Sequence, residues 1–161
     1  MKEGAIVYGK TICFLFFAIT MVFLVPQAEG ANWIYMGIDE VIGIEWSYDL
    51  ETVAELPTGI MKVRILKEYS DEGRKKEIQW RISEGLDVKG YDTLSKDFSL
   101  CEVNCITREY RLVEISYHST DGKVLYSHSF KPQPSEGWRP VPPGTMAERL
   151  YEAICPPQEK K

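Results

Sequence analysis

The sequence predicts an α+β protein, an antiparallel sheet with one buried face and a short C-terminal helix that covers it. The first observation is a hairpin. Cys101–Ser119 and Lys123–Phe130 flank Thr120-Asp121-Gly122-Lys123, where Asp-Gly suits a two-residue type I′ loop. In that register Tyr117 faces Tyr126 and Ile115 faces His128. Val113, Ile115, Tyr117, Val124, Tyr126 and Phe130 then share an apolar face, and Glu114, Ser116, His118, Leu125, Ser127 and Ser129 lie on the other. The second observation is a helix. Thr145 is its N-cap and Glu148 stands at N3, a Thr-x-x-Glu capping box. Ala147, Leu150, Tyr151 and Ile154 fall on one helical face, and Pro156-Pro157 ends the helix just past Cys155. The half-bare sheet is the surface this helix needs.

The other elements follow in chain order. Asn32–Gly37 and Val41–Tyr48 read as strands, the second alternating through Ile42, Ile44, Trp46 and Tyr48. In Gly59–Ser70, Met61, Val63, Ile65 and Tyr69 point one way and Lys62, Arg64 and Glu68 the other. Ser70-Asp71-Glu72-Gly73 reads as a turn. Arg74–Glu84 fits a strand through Ile78, Trp80 and Ile82, or a helix whose face is Ile78, Ile82 and Leu86. Its charge-rich start and Gly85 as a stop favour the helix. Residues 131–144 hold five of the nine prolines and form an extended crossover anchored by Trp138, not a central strand.

The leading thirty residues read as an address. Lys2 and Lys10 precede a charge-free run from Thr11 to Val25, and Ala28-Glu29-Gly30 offers small residues at a cleavage site. Fifteen residues make about 22 Å of helix, short of a roughly 30 Å bilayer core. The expectation is a signal peptide over 1–30, a single domain over 31–157 and a disordered tail over 158–161. The mature domain is then exported, with no membrane insertion after cleavage. Cys13 starts the apolar run, whereas a lipid-modified cysteine should follow it, so no lipid anchor is expected.

Nineteen Lys and Arg against 24 Asp and Glu give a net charge of -5. With no basic cluster, nucleic acid is not an expected partner. In an oxidising compartment Cys101, Cys105 and Cys155 read as disulfide candidates. If one strand runs unbroken from Cys101 to Tyr117, Cys101 and Cys105 lie roughly 13 Å apart, too far to pair with each other. Parity lets either one bridge to Cys155. The odd cysteine is a buried thiol or an intermolecular link, the former preferred. C-x-x-x-C in a strand is a poor redox motif.

The mature chain resembles the surface-adhesin protein E-like domain of bacterial exported proteins. The resemblance runs through Trp33, Trp46-Ser-Tyr-Asp-Leu-Glu-Thr-Val53 and Met61-Lys-Val-Arg-Ile-Leu-Lys67. It continues through Glu102-Val-Asn-Cys105, Arg108-Glu-Tyr-Arg111, Tyr117 and Asp121-Gly122, and closes with Trp138-Arg-Pro-Val-Pro-Pro-Gly-Thr145 and Ile154-Cys155. It implies about six antiparallel strands, with the C-terminal helix held on the concave face by a disulfide between Cys105 and Cys155, and a place in the periplasm or on the outer surface of a bacterium. Cys101 and the lack of a lipobox depart from the pattern. The matching residues are architectural, so the family's adhesive partner is not carried over.

No constellation for catalysis, cofactor or metal stands out, and none is expected. His118 and His128 fall on opposite faces of the hairpin, and a metal site needs three or four converging ligands. Asp49 and Glu51 as a hydrolytic pair lack a partner nucleophile. Pro132–Pro143 as a polyproline ligand is weaker than its role as a crossover. Trp33, Trp46, Trp80 and Trp138 are expected in the core. The leading expectation is a non-catalytic exported binding domain whose sheet edges meet a protein partner or a second copy. The alternative is a periplasmic small-ligand carrier or enzyme using the sheet–helix crevice.

Overall fold

The computed structural model describes residues 30–131, 133 and 135–157. The expected signal peptide and tail lie outside the described residues, Gly30 excepted. Six strands run in sequence order across one antiparallel curled sheet: β1 (Trp33–Asp39), β2 (Ile44–Leu56), β3 (Ile60–Tyr69), β4 (Leu94–Asn104), β5 (Glu109–Ser119) and β6 (Val124–Ser129). A two-residue strand, β7 (Arg139–Pro140), pairs with the start of β5. Helix α1 (Asp71–Ser83) follows β3, and α2 (Met146–Ile154) ends the fold.

The ladder registers define an inner face. Its rows run Trp46–Lys67–Asp97–Tyr117, Tyr48–Ile65–Ser99–Ile115 and Met61–Val103–Tyr110. The apolar core is Tyr48, Val63, Ile65, Cys101, Val103 and Cys105 against Leu150, Ile154 and Cys155 of the α2 segment. α2 therefore buries the face its spacing predicted. Thr145 Oγ1 accepts from Glu148 N at 3.4 Å. Glu148 returns its carboxylate to Gly144 N at 2.7 Å instead of to the N-cap amide, one residue beyond a standard box. The Cys105–Cys155 disulfide, with Cα atoms 5.5 Å apart, joins the helix end to the sheet.

Several expectations are corrected. β2 continues past Tyr48 to Leu56 through a bulge between Asp49 and Ala54. Side chains take up the freed backbone groups there: Asp49 Oδ1 accepts from Asn32 N and Glu51 N, and Thr52 Oγ1 accepts from Arg64 N. Ser70 caps α1, its hydroxyl accepting from Gly73 N, so Asp71–Gly73 is a first helical turn. α1 is a helix, but Ile82 and Leu86 are exposed while Arg81 is buried. Cys101–Tyr117 is not one strand. Asn104 Oδ1 accepts from Ile106 N and Thr107 N, and the chain turns through Arg108 at φ +56°. A bulge between β4 and β5 then puts Leu112, not Val113, opposite Cys101.

In the hairpin, Tyr117 does face Tyr126 and Ile115 faces His128. The loop is not type I′. Gly122 is left-handed while Asp121 is not, and Gly122 N donates to Ser119 O. Asp121 accepts from the Ser119 hydroxyl, which fixes this wider turn. His118 consequently faces Val124, and Leu125 packs with Tyr91, Leu94 and Tyr117 instead of joining the outer face.

Candidate functional site: the crevice between helix and sheet

The two helical segments leave part of the inner face uncovered. A cavity of about 390 Å³ opens there. Trp46, Ile65, Lys67, Ser99, Cys101 and Leu112 line it from the sheet, Met146, Ala147 and Leu150 from α2, and Arg139 from the crossover. Strand parity explains the sheet side, since alternate residues of β3, β4 and β5 reach the same face. Arg139 arrives because β7 sets it opposite Tyr110.

The electrostatics of this cavity are one-sided. Among the described residues its lining includes Lys67, Arg111 and Arg139 and no carboxylate. Lys67 Nζ lies 3.4 Å from Asp97 and 4.7 Å from the centroid of Trp46. Asp97 is fully buried and also accepts from Tyr69 Oη at 2.7 Å and Ser99 Oγ at 2.9 Å. Arg111 bonds Glu102 at 2.8 Å and lies over Trp138 at 4.4 Å. Arg139, by contrast, is exposed and has no carboxylate within 4.0 Å among the described residues. Trp46 Nε1 is buried and has no hydrogen-bond partner among them. Burial pushes the Cys101 thiol up to about 12, against the pull of Lys67, so at neutral pH it is a neutral, poorly nucleophilic part of the wall.

A second polar cluster closes the other end of the inner face. Arg81 is buried, donates from Nε to Asp87 O at 2.9 Å and stacks on Tyr91 at 4.1 Å. Its guanidinium stands 4.0 Å from Glu77. Burial raises the Glu77 carboxyl above its ordinary range, opposed by Lys67 and Arg81. Burial likewise raises Tyr69 and Tyr117, and takes Tyr91 to about 12. The three tyrosines hold their protons within packed structure.

The sequence-read candidates do not gather in the crevice. Asp49 is buried with its carboxylate engaged by backbone amides, while Glu51 is exposed. His118 sits 3.0 Å from Ser116 on the outer face, and His128 meets the Phe130 ring at 4.5 Å. No metal-competent cluster occurs among the described residues. Of the tryptophans none is fully buried: Trp46 is partly buried and packs against the core, while Trp80 is half exposed. Cys101 is a buried free thiol. Lys67 was the readable signal, since parity with Met61, Val63, Ile65 and Tyr69 places it inward. Asp97 and Arg81 gave none, lying where no alternation marked a face.

The architecture defines a single curled antiparallel sheet whose C-terminal helix is clamped over the inner face by sulfur. The chain belongs to the surface-adhesin protein E family, whose model matches residues 47–156. Trp33 and Trp46 lie outside that match. No curated protein and no solved structure matches the chain. Among the described residues no helix is long and apolar enough to cross a membrane.

Proposed function

We propose that the chain is an exported, non-catalytic binding domain of the bacterial envelope that receives a protein partner at the free edge of β6. Membership of a family named for adhesion supports a binding role. The edge itself is the observation that selects the surface. Among the described residues β6 pairs only with β5, and Val124–Phe130 contains no charged residue and no proline, the usual guards of a free edge. Val124, Tyr126 and Phe130 are exposed along it. Phe130 N donates to Val113 O, toward β5. Backbone alternation then aims the Ser127 and Ser129 amides outward, ready to pair with an added strand.

The test is the binding of the purified full chain to a panel of envelope and matrix proteins, with its mass in solution. Ser127→Pro removes one outward donor and leaves the β5–β6 ladder intact. The expected result is saturable binding of a panel protein by the wild type, lost in Ser127→Pro at unchanged stability. A monomer that binds none of them and turns over a small substrate overturns the proposal. A second reading, small-ligand carriage, is favoured by the 390 Å³ cavity.

A further inference from the structure

We infer that the crevice between α2 and the sheet binds a small amphiphile with one anionic head and an unbranched apolar body, such as a medium-chain carboxylate. The inference rests on the small-ligand reading of the crevice and names its ligand class. A cavity of 390 Å³ falls within the roughly 300–1,000 Å³ of small-molecule sites. Ile65, Leu112, Met146, Ala147 and Leu150 offer it an apolar bed, and flexible methionine adapts to a chain without fixed shape.

The charges decide the sign of the head. Among the described residues three cations and no carboxylate line the cavity. Lys67 is already offset by Asp97 and Arg111 by Glu102. That leaves Arg139, which is exposed and unpaired among the described residues and whose planar fork matches a carboxylate. A cationic head would meet Arg139 with nothing to offset the repulsion. A neutral apolar guest would leave that guanidinium unused.

The test titrates the purified full chain, disulfide intact, with decanoate, decanol and decyltrimethylammonium, reading heat and tryptophan fluorescence. Decanoate is expected to bind one per chain and to raise the melting temperature. Arg139→Gln should weaken decanoate about tenfold, equivalent to about 1.4 kcal/mol, and leave decanol unaffected. Ala147→Phe, which fills the cavity, should abolish binding. Should decanol or the cationic amphiphile bind as well as decanoate, and lose it in Ala147→Phe, the crevice is a binding site but the anionic class is wrong. If none of the three binds the folded protein, both the class and the crevice reading fail.

Discussion

At the α2 end of the inner face the contacts are Leu150, Ile154 and Cys155 against Val63, Val103 and Cys105, apolar groups with one covalent tie. At the α1 end the buried groups include Arg81, and Glu77 and Asp97 lie close by, walled by Tyr69, Tyr91 and Tyr117. The first end gains from removing hydrocarbon from water, an effect that needs no partner geometry. The second must satisfy charges out of water, so its stability depends on each partner staying in place. The lesson is that one sheet face supports both kinds of closure, and that the crevice lies between the sheet and the first turns of α2.

The largest expected effect breaks the sulfur clamp. Replacing Cys105 and Cys155 together by serine frees a loop of 50 residues and should cost about 4 kcal/mol in denaturant unfolding. A loss below about 1 kcal/mol would show that the helix is held by packing alone. Next comes Arg81→Ala, expected to cost about 3 kcal/mol, because Glu77 loses its ion partner and the tyrosine rings their stack. That cost should be smaller in acid, where Glu77 is protonated. Thr145→Ala should cost about 1 kcal/mol through its lost cap bond.

Glu77→Gln sharpens the contrast with a smaller change. Because folding raises the Glu77 carboxyl, the native state holds its proton more tightly than the unfolded chain. Stability is therefore full below the ordinary Glu value of about 4.3 and falls as pH rises through the folded value. The glutamine variant should flatten that fall and match the wild type in acid, as pH-dependent melting will show. The smallest effect is at Cys101. Its buried thiol, pushed up to about 12, should resist iodoacetamide in the folded protein and react on unfolding, read by intact mass.

The α2 end was far more legible than the α1 end. Leu150, Tyr151 and Ile154 at helical spacing, behind Thr145 and Glu148, mark a helix and its buried face within ten residues of chain. The pairing of Tyr117 with Tyr126 was readable because one face of the hairpin is apolar. Around α1 the same rule misleads: Ile82 and Leu86 are exposed, and the helix turns Arg81 inward because Tyr91 and Asp87 O are there to receive it. Those partners come from a later segment, so no local periodicity records them. The break at Cys105 had a local signal in Asn104, which an assumed continuous strand passed over. Lys67 was visible by parity, but its buried partner Asp97 was not.

Local chemistry determined the strand-rich class, the hairpin pairing and the C-terminal helix, because alternation, turn residues and caps act over a few positions. The identity of the cysteine pair came from resemblance to the family rather than from spacing. Only the tertiary structure decided the path from Cys101 to Glu109, the inward turn of Arg81 and the crevice with its unpaired Arg139. Each depends on which distant groups share a buried volume, and the cost of burying a charge is set by those neighbours.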